Sequence, residues 1–489
     1  MENSASQKQA FFFTIINYIG IAIGVVSTLF IYPKNRELLG IFRYVEAIAQ
    51  VLYPVMLLGA SQALINFYPK LAPHNRKQLF NYSIISILII SSMILVLLII
   101  GSFLPFLKNM KYVYYAFPIA FFLAFVELFK KQSTIIQRIA LPTFFDNIIP
   151  KVALPVLFIL LLNHSIAAPA SLIFYIISYG LIFFCTGIYL FLHFKPKFNF
   201  SFNELFSEIP KKDYFRYSLF AFAGSLGSVF AFRIDALMIP KFISMEANGT
   251  FSIGVTLASA LAVPATGIFI LYAPIVSNYI KTENFTELNM KYKEISKLLF
   301  FIGALLYSCI FLGINDLFSL LPTHENLVAS IPVILILGFN VLINMGTGFN
   351  GEIITYSPYY KFNLVAITLL IVLNVSLNLL FILYFNLGIV AVAVASLIAM
   401  VVFNMAKLIF IYKKFRLFPF DMAYLKLVIV FGIVLTAVYF IPEFSSPIVN
   451  LTVKTIICVA LNVIIIYKLK LLYQLHFFVD KWFFYGENK

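Results

Sequence analysis

Two charged side chains, Arg233 and Asp235, interrupt the apolar stretch SVFAFRIDALMIPKF. Charges in a membrane helix cost about 3 kcal/mol each on insertion scales, and they usually face a cavity, a partner or the lipid headgroups. Residues two apart on a helix point about 200° away from each other, so one cavity cannot receive both side chains. Asp235 continues a stripe of serines, whereas Arg233 lies elsewhere and either extends to the headgroups or has a functional role.

An earlier apolar stretch carries polar side chains at offsets of 3, 4 and 7, which share one helix face. They are Arg43, Glu46, Gln50, Tyr53 and Ser61. Five such groups are hard to place against lipid, so this stripe predicts a face toward a cavity or a neighbouring helix. The alternative is that Arg43 and Glu46 simply neutralise each other inside the helix bundle.

The first apolar segment has a face of small and polar residues, formed by Asn17, Gly20, Gly24 and Ser27. Small residues let membrane helices approach closely, so close packing and cavity lining are equal alternatives for this face.

Three further polar positions suggest structural roles. Glu127 and Lys131, four residues apart, predict an ordinary surface pair. Asn374 and Asn378 share a helix face and predict hydrogen bonds between helices. Glu352 is interpreted as a loop carboxylate, with a gate or ion-coupling residue as the alternative.

The sequence holds no constellation typical of catalysis. Its three cysteines and five histidines are scattered, and it contains neither a glycine-rich phosphate loop nor a serine–histidine–acid arrangement. We therefore expect a non-enzyme without a bound cofactor, in which coupling to H⁺ or Na⁺ is an open alternative.

The composition defines the elements that must position these groups. Of 489 residues, 62% are hydrophobic and 11% charged, against about 45–50% and 25% in soluble domains. This composition predicts an all-α polytopic membrane protein. Segments long enough to span a bilayer number about fourteen, near 11–31, 42–65, 81–105, 112–130, 146–162, 169–193, 216–239, 251–273, 298–321, 328–350, 362–384, 387–411, 422–441 and 448–470.

The loops carry the charge that predicts orientation. With the N-terminus inside, twenty-five Lys and Arg residues fall in inner loops and six in outer loops, which predicts that both termini are cytoplasmic. The net charge of +15 is spread over short loops, so we expect anionic lipid rather than nucleic acid as its partner. The connection near 274–297 contains NFTELNMKYKEISKLL, interpreted as a solvated linker helix or a helix on the membrane surface.

An internal repeat divides the chain. LGIFRYVEAIAQ in the first half resembles NGTFSIGVTLAS in the second, and the offset from Gly40 to Gly249 is 209 residues. Two parallel six-helix lobes around a central cavity, 1–198 and 199–416, are therefore expected, followed by a C-terminal helix pair and tail, 417–489.

These stretches resemble the polysaccharide-transporter branch of the multidrug/oligosaccharidyl-lipid/polysaccharide exporter superfamily, the Wzx-type flippases. The family's Asp-x-x-Met-Ile-Gly is matched at Asp235, Met238 and Ile239, although Pro240 replaces the glycine. Its Leu-Asn-x-x-Leu-Asn corresponds to LNVSLN (373–378). KNRELLGIF keeps part of a Leu-Gly-x-x-Gly-x-Tyr motif, and NGTFSIG and FNLGIVAVAVAS resemble later family motifs.

The resemblance implies a flippase for polyprenyl-pyrophosphate-linked oligosaccharides in the bacterial cytoplasmic membrane, working by alternating access in surface polysaccharide assembly. It suggests Arg43 and Arg233 as cavity cations for the pyrophosphate, and Asn17, Glu46, Gln50 and Asp235 as cavity-lining or coupling residues. Expected partners are this lipid-linked substrate, membrane lipids, and a polymerase or other export machinery. Alternatives are a multidrug/cation antiporter of the same superfamily, a membrane glycan polymerase, and a secondary transporter for small solutes.

Overall fold

The computed structural model describes residues 18–103, 111–196 and 201–480, and within these ranges all regular structure is helical. The chain divides into two compact units, with the boundary between Gly249 and Thr250. The helices of the first unit are α1 (Tyr18–Phe30), α2 (Arg36–Leu57), α3 (Ala60–Phe67), α4 (Pro73–Ser102), α5 (Lys111–Ile135), α6 (Ala140–Leu162), α7 (Ala168–His193), α8 (Asn203–Glu208) and α9 (Lys211–Phe242).

Helix α10 (Met245–Ser259) begins in the first unit and continues into the second. The second unit then contains α11 (Val263–Lys281), α12 (Phe285–Ser319), α13 (His324–Val328), α14 (Ile331–Gly346), α15 (Asn350–Tyr356), α16 (Phe362–Phe385), α17 (Gly388–Phe415), α18 (Met422–Tyr439), α19 (Pro447–Lys468) and α20 (Tyr473–Val479).

The all-α polytopic class is confirmed. In the described ranges, twelve helical stretches are long and apolar enough to cross a membrane, and the pair α14–α15, bent by 50°, makes thirteen if it counts as one span. The first of the fourteen predicted spans is described only from Tyr18 onward. The division at 198/199 and 416/417, and the arrangement of two lobes around a cavity, stay predictions.

The segment interpreted as a linker or surface helix is instead the first half of α12, which runs unbroken for 35 residues. Leu288, Tyr292, Ile295 and Leu299 recur at helical spacing and are fully buried in a core cluster of the second unit. The segment is helical, as both interpretations expected, but it is not a separate linker: its apolar stripe is buried in the core and its charged residues occupy the other face.

The junction between α2 and α3 fixes the position of α9 in the first unit. Leu58 and Gly59 are both left-handed, with φ of 42° and 79°. A Cβ atom on Gly59 would overlap the backbone carbonyl of Ser218 in α9. Glycine is therefore required at this bend by its conformation and by the close approach of another backbone.

An aromatic cluster holds α2 against α6 and α7. Phe42 packs on Phe158 and Tyr175, with ring centroids 5.9 and 5.1 Å apart, and Tyr32 packs edge-on against Phe158 at 5.0 Å. All four rings are buried, and such pairs favour tilted or edge-to-face geometry. This packing fixes the rotation of α2 and with it the direction of the polar stripe that begins at Arg43.

Candidate functional site

The polar stripe of α2 forms a continuous chain of bonded side chains. Arg43 Nη1 lies 2.8 Å from Glu46 Oε2, and Gln50 Nε2 donates to Glu46 Oε1 over 3.1 Å. The Arg43 and Glu46 side chains are 26% and 15% exposed. The predicted ion pair therefore exists, and it continues into Gln50 rather than ending as an isolated neutral pair.

The chain extends to α9 through Arg233. Its Nε donates to Gln50 Oε1 over 2.5 Å, and its charge also lies close enough to Glu46 for electrostatic interaction. The structure thus joins three of the predicted site residues, Arg43, Glu46 and Gln50, to Arg233 across 183 positions of sequence. Arg233 is thus bonded to a partner inside the first unit.

A second charged cluster lies between α5 and α6. Lys130 Nζ is 2.6 Å from Asp146 Oδ2 and 3.5 Å from a Glu127 oxygen, and Lys131 Nζ is 3.2 Å from the other Glu127 oxygen. The pair Glu127–Lys131 was interpreted as an ordinary surface pair, but it belongs to a cluster whose Lys130, Glu127 and Asp146 side chains are about four-fifths buried.

This cluster and the stripe of α2 share a cavity of ≈ 230 Å³, lined by Gln50, Tyr53, Leu123, Val126, Glu127, Lys130 and Asp146. Gln50 is the connecting side chain, because it lines this cavity and accepts the bond from Arg233. Gln50 and Tyr53 of the α2 stripe thus line a cavity within the first unit, and the predicted central cavity stays a prediction.

Lys151 on α6 is a cation that the sequence analysis did not assign. Its Nζ lies beside Gly20 of α1, where a Cβ atom would approach it to 2.9 Å. It interacts electrostatically with Asp146, Arg43 and Glu46, yet among the described residues it has no ion pair within 4 Å. Gly20, from the predicted small face of the first segment, leaves the space that this ammonium group occupies.

These ten side chains are called the polar track below: Arg43, Glu46, Gln50, Tyr53, Glu127, Lys130, Lys131, Asp146, Lys151 and Arg233. Five are basic and three acidic. Because ionised groups in low-dielectric surroundings are costly unless compensated, a surplus of two cations favours the binding of an anionic ligand.

Two predicted site residues remain. Asp235 is half-buried on α9, and its role stays a prediction. Asn17 lies outside the described residues.

The second unit contains the other polar positions. Asn378 Nδ2 donates to Asn374 Oδ1 over 2.8 Å, and Asn374 Nδ2 lies 3.5 Å from Ser396 Oγ on α17, as the prediction of helix–helix hydrogen bonding requires. Glu352 lies half-buried on α15, in the second part of the bent span and close to Lys407, so it is not a loop carboxylate. Within the described residues, no group of three or more His, Cys, Asp and Glu side chains could hold a metal ion.

Comparison with known proteins relates the fold to membrane transporters. No protein-family model matches the sequence, and no curated protein is significantly similar to it. A lipid II flippase, MurJ, in an inward closed conformation is similar in structure with a TM-score of 0.69 and 14% identity, covering 95% of this chain and 98% of MurJ.

Two multidrug-resistance MATE transporters of the MOP superfamily are also similar in structure. The inward-facing one gives a TM-score of 0.62 at 15% identity, covering 82% of this chain and 94% of the transporter. The outward-facing one gives 0.55 at 14% identity, with 84% and 96% covered. The chain has the multi-pass helical fold that these proteins share.

Proposed function

We propose that the chain is a flippase that moves a polyprenyl-pyrophosphate-linked oligosaccharide from the cytoplasmic to the outer leaflet of the bacterial cytoplasmic membrane by alternating access. Its product would supply surface polysaccharide assembly, such as O-antigen, capsule or exopolysaccharide. Both termini would lie in the cytoplasm. The observation that carries this proposal is the surplus of cations in the polar track.

A pyrophosphate is the part of such a cargo that an intramembrane site must compensate. A guanidinium group binds phosphate oxygens through two parallel N–H donors. Arg43 is compensated by Glu46, whereas the bond from Arg233 goes to the neutral amide of Gln50 and leaves the positive charge of Arg233 unneutralised by that contact. Arg233 and Lys151 therefore supply the attraction, and Arg43 can exchange Glu46 for phosphate.

The comparisons support a lipid-linked cargo without identifying it. The neighbour that covers nearly the whole chain is described as a lipid II flippase, and lipid II belongs to that protein. The competing function, a multidrug/cation antiporter, shares the fold but would need a site that attracts cations. The basic surplus of the polar track favours the flippase, with a polymerase or other export machinery as its partner.

The test is the lipid-linked intermediate that accumulates in cells lacking this protein. We expect polyprenyl-linked repeat units to accumulate on the cytoplasmic leaflet, and Arg233→Gln or Arg43→Gln to fail to restore surface glycan. Arg138→Gln, which removes an exposed arginine at the end of α5, is the matched control and should restore it. Intact export in both variants would contradict the proposal, and short units on the outer leaflet would instead indicate a polymerase.

A further inference from the structure

Two glycines allow α2 and the first turn of α10 to cross in direct backbone contact. A Cβ atom on Gly40 would overlap the carbonyl group of Met245, and a Cβ atom on Gly249 would overlap that of Arg36. In both cases the obstructing atoms are backbone atoms, which cannot rotate away as a side chain can. The crossing is therefore possible only while both positions are glycine.

The two glycine contacts are equivalent under the internal repeat. Gly40 and Gly249 are equivalent positions at an offset of 209, and the same offset relates Arg36 to Met245. The contact of residue 40 with 245 is thus the repeat-equivalent of the contact of 249 with 36. Self-complementary pairing of this kind is typical of contacts between equivalent positions of a repeat.

Two side-chain contacts also join the crossing segments. The buried Asn248 side chain donates from Nδ2 to the Gly40 carbonyl over 2.8 Å. Arg36 and Glu246 form an ion pair at 2.5 Å, with the Glu246 side chain 55% exposed. An exposed pair contributes little net stability. Close packing and the buried Asn248 hydrogen bond therefore contribute more to this contact than the exposed ion pair.

The polar track begins directly below the crossing. Arg43 follows Gly40 by three residues on α2 and so lies less than one helical turn away. The distribution of Lys and Arg predicts that the loop before α2 and the loop before α10 are both extracytoplasmic. An anion bound at Arg43 would have this crossing between itself and the outer surface.

We propose that the Gly40–Gly249 crossing is the outer gate of the transport path: it closes the path above the polar track when formed, and it must separate once in each cycle. This inference rests on the proposed function, since it assigns a place to the outer step of alternating access. The glycines are the gate surfaces, and the Asn248 hydrogen bond must be released when the gate opens, whereas the exposed Arg36–Glu246 pair is dispensable.

The first experiment locks the crossing without altering its packing. In a chain whose three native cysteines are replaced by serine, Arg36→Cys and Glu246→Cys are joined through two disulfides by a short bis-methanethiosulfonate reagent, which releases sulfinate at each cysteine. We expect flipping of a lipid-linked oligosaccharide in proteoliposomes to stop and to return when a reductant cleaves the link, while each single cysteine variant is unaffected. Undiminished flipping by the fully cross-linked protein would overturn the gate.

The second experiment requires no cargo, so it separates failure of the gate from failure of the proposed function. A Tyr53→Cys reporter in the cavity is labelled from outside by a membrane-impermeant maleimide. Gly249→Ala should raise the labelling rate by roughly fivefold or more, because overpacking at a contact of this kind shifts conformational equilibria on that scale. Gly24→Ala is the matched control, because its Cβ atom meets nothing within 4 Å.

The two readouts together decide the outcome. Increased labelling in Gly249→Ala and suppressed labelling in the cross-linked pair support the gate even if no lipid-linked oligosaccharide is flipped. Labelling equal to that of Gly24→Ala, in protein that elutes as a single folded species, would overturn it.

Discussion

The bond between Lys130 and Asp146 is the strongest ionic contact in the polar track, and its loss should destabilise the first unit. The two charged atoms are 2.6 Å apart, which at an effective dielectric constant of about 20 corresponds to a gross attraction of about 6 kcal/mol. Breaking a fully buried pair costs about 3–5 kcal/mol. Because the two side chains are still 23% and 22% exposed, we expect about 2–3 kcal/mol for Lys130→Met.

The measurement is the thermal unfolding of purified variants in one detergent at one scan rate. For a unit of about this size, 2–3 kcal/mol lowers the apparent Tm by about 5–10 °C. Lys130→Met leaves Glu127 and Asp146 with Lys131 as the neighbouring cation in the cluster. Lys130→Met/Asp146→Asn restores neutrality, so the double variant should be less destabilised than the sum of its single variants by about 1 kcal/mol or more.

The control is Lys291→Met, which removes a more exposed pair with Glu294 on α12, at 37% and 26% exposure; its Tm should change by no more than about 1–2 °C. Additive effects in the double variant, or a Tm for Lys130→Met equal to that of the control, would refute the reasoning that this cluster is a coupled ionic unit.

Three further predictions concern other parts of the chain. Gly59→Ala should lower the apparent Tm by several degrees or prevent folding, because it combines a left-handed φ with overlap on the Ser218 carbonyl. Burial alone would raise the pKa of Asp421, but a backbone N–H and the Lys297 ammonium outweigh it and hold this pKa below its usual value. The ionised Asp421 carboxylate therefore stabilises the folded protein fully above about pH 4, and this stabilisation is lost as the pH falls through the lower folded-state pKa. Asp421→Asn should lower Tm by a few degrees at pH 7. The difference in Tm between the variant and the native protein should disappear at strongly acid pH. Lys151→Met should weaken binding of inorganic pyrophosphate to detergent-solubilised protein by about tenfold, and an unchanged affinity in a titration would remove Lys151 from the anion site.

Periodicity alone predicted the composition of the α2 stripe. Arg43, Glu46, Gln50 and Tyr53 share a face because of helical geometry, and the cost of placing them against lipid directed that face inward. The separation of Arg233 from Asp235 followed from the same geometry. In these cases the chemistry and the spacing lie on one helix, so the sequence contains the information.

Partners on other helices could not be predicted in this way. Arg233 meets Gln50, and Lys130 meets Asp146, only after the helices have packed with a particular rotation and depth. The first half of α12 was predicted as a helix, but its continuity with the following span and the burial of its stripe of Leu288, Tyr292 and Ile295 follow only from the packed structure.

The internal repeat predicted two lobes and also identified Gly40 and Gly249 as equivalent positions. The offset that pairs Gly40 with Gly249 was visible in the sequence, but their direct contact was not, because sequence equivalence does not require proximity. Only the structure shows that both glycines are needed where two backbones cross.

The central claim is that the cations of the polar track move an anionic lipid-linked oligosaccharide across the bilayer. It is tested most directly by the transbilayer movement of a fluorescent polyprenyl-pyrophosphate-linked oligosaccharide in proteoliposomes, followed by quenching of the outer leaflet. We predict rapid movement with the native protein, loss of at least about nine-tenths of the rate in Arg233→Gln, and retention of the rate in Arg138→Gln. Equal rates in all three proteins, or no movement above protein-free vesicles with the native chain, would contradict the account.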